Sequence, residues 1–91
     1  MTLRIQTLAK GDVVSFTLSG RINLEEIAEL QRLFEAEGQD RQIVLDLKEV
    51  KLVDLEGIRF LACCEKNGAQ LKNCPVYVRK WIEKERLQQY Q

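Results

Sequence analysis

The feature that most constrains the fold of this chain is the run Gln42-Ile43-Val44-Leu45-Asp46-Leu47, a short apolar segment bounded by polar residues and followed by a helix start at Asp54. A compact run of β-branched and aliphatic residues is the form of a strand covered on both faces, as in sheets flanked by helices. It is expected to be the central strand, giving way to a loop and then to the helix. Such a junction brings backbone N–H groups and a chosen side chain to the surface, where a partner or a phosphate can be read.

The flanking segments supply the rest of an alternating pattern. Val13 to Leu18 is rich in β-branched and aromatic residues and alternates after Val14, which argues a half-buried strand. Lys10-Gly11-Asp12 is turn chemistry, so Leu3 to Leu8 is expected to be its hairpin partner, and Gly20 is expected to break the strand. Asn23 followed by Glu26 resembles a capping box. Leu24, Ile27, Leu30 and Phe34 then recur at helical spacing, widened by Ala28 and Leu33, which predicts a helix from about Leu24 to Glu37 that stops at Gly38.

Asp54 can cap a second helix from Leu55 to about Lys66, with Ile58, Leu61, Ala62 and Cys64 inward and Asn67-Gly68 as its stop. Gln70 to Cys74 reads as a short strand. Pro75 can open a third helix, where Val76, Val78, Trp81, Ile82 and Leu87 stand among charged residues and Trp81 is expected to pack inward.

This order predicts an α/β fold: a single small domain over residues 1–91 with a mixed sheet of about four to five strands, an antiparallel edge hairpin and about three helices. A chain of 91 residues can bury roughly 60–65% of its unfolded surface, enough for one core.

Composition narrows the function. Lys plus Arg and Asp plus Glu each total 14, so no net field draws the chain to nucleic acid or to an anionic membrane. No run approaches the roughly 18–20 apolar residues that span a bilayer, and the start Met1-Thr2-Leu3-Arg4-Ile5-Gln6 lacks a signal-peptide core, so a cytoplasmic location is expected. With 3 Cys in no CxxC spacing and no His, neither a metal site, a cofactor nor a catalytic residue is expected, and the chain does not read as an enzyme.

Cys63 and Cys64 project about 100° apart on a helix, so one is expected in the core and one half-exposed. Cys74, just before a helix start, could carry a lowered thiol pKa. Arg79, Lys80, Lys84 and Arg86 interleave with Glu83 and Glu85, the pattern of a solvated helix face rather than a nucleic-acid surface.

Two segments resemble a known family. Leu18-Ser19-Gly20-Arg21-Ile22-Asn23 is similar to the strand end L-x-G-x-[LI]-D, and Asp46 to Leu61 is similar to D-L-S-x-V-x-x-[IM]-D-S-S-G-L-x-x-L, with matches at Gly20, Asp46, Leu47, Val50, Asp54, Gly57, Ile58 and Leu61. Both patterns belong to STAS domains, the family of sulphate transporters and anti-sigma-factor antagonists.

The resemblance implies a bacterial, non-catalytic regulatory module. Its partner would be a protein, often an anti-sigma factor with a kinase fold, and a homodimer is left open. The partner-binding residues would be Asp54, Leu55, Glu56, Gly57 and Ile58. In switchable members the serine before the glycine is phosphorylated; here that position is Glu56, preceded by Leu55, so no phospho-acceptor is present. Glu56 could imitate a phosphate, belong to another interface, or simply stabilise the first helical turn by about 0.3–1 kcal/mol. Asp54 reads first as a helix cap, and Gly57 as a point of close approach for a partner, a loop or a packed strand. The alternatives are a domain for a small anionic ligand or nucleotide and, behind it, a thiol-dependent protein.

Overall fold

The structure, a computed structural model, describes residues 3–37 and 40–89. Its elements are β1 (Arg4–Lys10), β2 (Val13–Ile22), α1 (Leu24–Glu37), β3 (Gln42–Val53), α2 (Leu55–Lys66), β4 (Gln70–Lys72) and α3 (Val76–Gln89). The sheet is four-stranded in the order β1-β2-β3-β4. β1 pairs antiparallel with β2, in register from Arg4 opposite Ser19 to Lys10 opposite Val13, so the hairpin closes over Gly11 and Asp12. β2–β3 and β3–β4 are parallel, and β3 is central as expected.

One face of the sheet carries the core. Val14, Phe16, Leu18 and Ile22 of β2 and Leu45, Leu47, Val50 and Val53 of β3 share one buried cluster with Ile27 and Leu30 of α1, Ile58, Leu61, Ala62 and Cys64 of α2, and Val78 and Ile82 of α3. Side chains alternate faces along a strand, so all these helices cover the same side. The other side presents Ser15 and Thr17, with Val44 between Ser15 and Gln70. Val44 is 8% exposed yet lies outside the core cluster, with Ser15 and Gln70 as its cross-strand neighbours, so the expectation of a strand covered by helices on both faces is corrected: the core helices lie on one face only.

Helix starts follow local chemistry. The Asn23 side-chain oxygen accepts from the backbone N–H of Glu25 and Glu26 at 3.1 and 3.3 Å, capping α1. The expected stop at Gly38 lies outside the described residues. Phe16, Phe34 and Phe60 bind α1 and α2 to the sheet, with ring centroids 5.0 Å apart for Phe16–Phe34 and 5.8 Å for the stacked Phe34–Phe60 pair. Leu24 and Ala28, read as part of the inward stripe, are exposed, because the α1 contact centres on Ile27, Leu30 and Phe34. Glu65 of α2 joins Arg79 at 2.8 Å and Arg86, tying α3 to α2.

Two strand ends differ from expectation. β1 extends to Lys10 rather than Leu8, and β4 is only Gln70–Lys72. The largest difference concerns Gly20 and β3. β2 does not break at Gly20 but runs on to Ile22, and β3 runs on to Val53 instead of yielding to a loop after Leu47. Gly20 has φ 104°, a conformation that costs glycine little, and stands where the register shifts. It bends the strand without ending it.

Candidate functional site

The junction between β3 and α2 is set by two bulges. Thr17 faces Asp46, but Ser19 faces Glu49; Gly20 faces Val50, but Arg21 faces Leu52. At each shift β3 holds one extra residue, which breaks the two-residue alternation of inward side chains. Leu47, Val50 and Val53 are consequently the buried positions, while Lys48, Glu49, Lys51 and Leu52 are exposed. Asp46, the first acid of the family-like motif, serves this bend: its Oδ1 accepts from Lys48 N–H and from Asn73 Nδ2, both at 3.0 Å. The Asn73 hydrogen bond, then the Lys48 one, hold the Asp46 carboxyl below its ordinary pKa. Asp46 thus pins the first bulge to the turn after β4.

Asp54 alone separates β3 from α2. Its N–H donates to Ile22 C=O at 3.2 Å, its side-chain Oδ1 accepts from Gly57 N–H at 2.8 Å, and its C=O accepts from Ile58 N–H at 2.9 Å. One residue therefore ends the strand, caps the helix and ties both to the end of β2, as the capping reading expected. Gly57 is buried against that same point. A Cβ there would stand 2.6 Å from Val53 Cγ1 and 2.8 Å from Ile22 O. The glycine is the seat of helix-to-strand packing, and Ile58 beside it is buried in the core.

The five residues read as partner-binding therefore divide. Gly57 and Ile58 build the platform, while Asp54, Leu55 and Glu56 are exposed upon it. Leu55 keeps 47% of its surface open. Glu56 Oε1 meets Arg59 Nη1 at 3.4 Å, and Arg59 Nε also meets Glu85 at 3.5 Å, so one guanidinium lies between two carboxylates.

Next to the junction lies a groove of about 340 Å³ lined by Val53, Leu55, Ile58, Tyr77 and Trp81. Trp81, expected to pack inward, is 49% exposed: Val78 and Ile82 take the core positions of α3, and the residue before Ile82 points about 100° away. Val76 and Leu87 are exposed for the same reason. This groove escaped the sequence reading; centring the helical wheel on Val78, Ile82 and Glu85 would have found it.

All three cysteines are free thiols. Cys63 is exposed and Cys64 buried, as the spacing predicted, and burial, with a smaller contribution from Cys63, pushes the Cys64 thiol up to about 12. Burial also raises the Cys74 thiol against the weaker opposing pull of Arg79, which corrects the expectation of a lowered pKa. Among the described residues, no group of three or more His, Cys, Asp or Glu side chains is placed to hold a metal ion, and no helix is long and apolar enough to cross a membrane.

No protein-family model matches the chain, and no curated protein matches it in sequence. Solved structures do match its fold. The unphosphorylated anti-sigma factor antagonist SpoIIAA superposes with a TM-score of 0.69 at 14% identity, covering 85% of this chain and 79% of that one. The fold is STAS-like. An anti-sigma factor antagonist from Mycobacterium paratuberculosis gives a TM-score of 0.62 at 19% identity over 77% of this chain and 64% of that one. An antisigma-factor antagonist STAS domain from Rhodobacter sphaeroides gives 0.58 at 12% identity, over 77% and 83% of the two chains. The STAS-like arrangement expected from the Asp46–Leu61 motif is thus the observed one in its sheet and helices: a mixed four-stranded sheet with an antiparallel β1–β2 pair and three helices among the described residues.

Proposed function

We propose that this chain is a non-catalytic regulatory module that docks a protein partner through the start of α2, with Leu55 and Glu56 as the contacting side chains around the Asp54–Gly57 turn. The observation that carries this reading is the division of the junction: an exposed Leu55–Glu56 pair stands on a turn held by the Asp54 cap and by Gly57 packed on Ile22. A rigid support lowers the entropy cost of binding, and an aliphatic side chain beside exposed aromatics supplies apolar contact. The absence of His from the sequence removes the commonest general base from any catalytic alternative.

The site is not a serine switch, because Glu56 occupies the acceptor position. Glu56 is also a weak stand-in for phosphate: it carries one negative charge where phosphoserine carries about −1.5 to −2, and Arg59 compensates part of it. We therefore assign Glu56 to a constitutive interface rather than to a permanently partner-rejecting state. The small-anion alternative is weakened by the same residue, and by the Asp54 carboxylate already holding the Gly57 N–H.

The test is affinity capture with the wild type and with Glu56→Lys, followed by identification of the bound protein. Capture of a discrete partner that the variant loses supports the reading; no partner, or unchanged binding, refutes it. Incubation with a cognate kinase and ATP should leave the wild type unphosphorylated at α2 while Glu56→Ser accepts phosphate. Phosphate on the unmodified helix start would overturn the assignment.

A further inference from the structure

The groove beside the junction points to its own occupant, an inference that rests on the docking reading above. Its floor is the buried Val53 and Ile58, and its walls are Leu55 at the start of α2 and Tyr77 and Trp81 on α3. Leu55, Tyr77 and Trp81 keep 47%, 42% and 49% of their surface open. Large apolar side chains left exposed together around one concavity mark an interaction surface.

The two walls differ in charge. On the α2 side Asp54 and Glu56 are exposed, and the one guanidinium beside them, Arg59, is shared between Glu56 and Glu85. On the α3 side Lys84 Nζ lies 4.8 Å from the Trp81 ring centroid and forms no ion pair among the described residues. The acids of α3 do not offset it: the Glu85 side chain is only 11% exposed and meets Arg59, and Glu83 projects about 200° round the helix from Trp81. The α2 wall is therefore acidic and the α3 wall basic, while the groove as a whole stays close to neutral.

An occupant carrying one sign of charge meets attraction at one wall and repulsion at the other. A second copy of the chain meets attraction at both. About a twofold axis running along the groove, the α2 wall of each copy faces the α3 wall of the other, and each favourable pair is made twice. The formal net charge of +0 adds no long-range repulsion between copies. We propose that the chain self-associates as a twofold dimer through this groove, with Trp81 of each copy packed against Leu55 of the other and Glu56 facing Lys84 across the contact. The partner docked by the start of α2 is then a second copy of the chain.

The sequence holds 1 Trp, so intrinsic fluorescence reports on this groove. Sedimentation equilibrium of the full chain, paired with Trp81 emission over a dilution series, should show a dimer whose emission shifts as the copies separate. Glu56→Lys and Lys84→Glu, each with the circular dichroism of the wild type, should each weaken the dimer by about tenfold or more, because each sets like charges opposite one another at both contacts. An equimolar mixture of the two variants should recover the wild-type affinity, since opposite charges then face each other again at both contacts. The proposal is overturned by a chain that is monomeric at every soluble concentration, by a dimer with the emission of the monomer, by indifference to either substitution, or by a mixture no tighter than its components. If the chain stays monomeric while Glu56→Lys still abolishes capture of a different protein, docking stands and the self-association inference falls. If it stays monomeric and captures nothing, both fall.

Discussion

Replacing Gly57 with alanine tests the packing of the junction. The added methyl would meet Val53 Cγ1 at 2.6 Å and Ile22 O at 2.8 Å. Val53 has a side chain that can shift slightly, but the Ile22 carbonyl is backbone and accepts the Asp54 N–H, so moving it strains the hydrogen bond joining β2 to the helix start. Overpacking of this kind costs about 1–3 kcal/mol, and contact with a fixed backbone atom argues for the upper part of that range. Against it stands the helical advantage of Ala over Gly, at most about 1 kcal/mol. The net expectation is a loss of about 2 kcal/mol, or a fall in Tm of roughly 8–16 °C for a domain of this size. Urea unfolding followed by circular dichroism measures it, with Glu56→Ala as a neighbouring control expected within about 0.5 kcal/mol of wild type. A Gly57→Ala protein as stable as the wild type, or more so, would refute the argument that the glycine is there for close packing.

Further outcomes follow from the charges, the cap and the thiols. Arg79 hydrogen bonding, opposed by burial and reinforced by the charges of Arg79 and Arg86, holds the Glu65 carboxyl below its ordinary value of 4.5. A depressed folded pKa stabilises the protein fully above the unfolded value and is lost as pH falls through the folded one. The stability gap between wild type and Glu65→Gln should therefore narrow on acidification from about pH 6 to about pH 3 in urea titrations, whereas a pH-independent gap would contradict the coupling. Asp54→Ala should cost about 1 kcal/mol in the same assay through loss of the α2 cap, and an unchanged midpoint would contradict the capping role. Iodoacetamide should label exposed Cys63 in the native protein and reach buried Cys64 only after denaturation, as read by peptide mass spectrometry; partner capture should survive the native labelling. Native labelling of Cys64 would contradict its place in the core.

Much of the architecture is legible because short-range chemistry agrees with the tertiary packing. Asn23 and Asp54 are capping residues at the starts of α1 and α2, and each helix follows its cap immediately. Leu55–Lys66 is bounded by that cap and by Asn67-Gly68, so its limits and its inward residues Ile58, Leu61, Ala62 and Cys64 can be read locally. What escapes is the product of pairing between distant segments. The second half of β3 has no two-residue alternation, because the shifts opposite Thr17–Ser19 and Gly20–Arg21 place Leu47, Val50 and Val53 inward instead. The Trp81 groove escapes for a different reason. α3 carries apolar residues around much of its circumference, and only its contact with α2 selects Val78 and Ile82 for the core and leaves Trp81 beside Leu55.

The strand-to-helix junction was legible in position, but which of its residues are buried and which exposed was not. The motif marks Asp54 to Ile58 as a unit, yet Gly57 and Ile58 are buried support and Leu55 and Glu56 are the exposed part. Burial of this kind depends on where the end of β2 lies, and Ile22 O closes over Gly57 only because β2 continues past Gly20.

The central claim is that the exposed start of α2 docks a protein, and its most direct measurement is the affinity of the captured, identified partner for wild type and for Glu56→Lys, using variants whose circular dichroism matches that of the wild type. The account predicts a saturable complex that the charge reversal weakens by about tenfold or more. Equal affinity for the two proteins would contradict it.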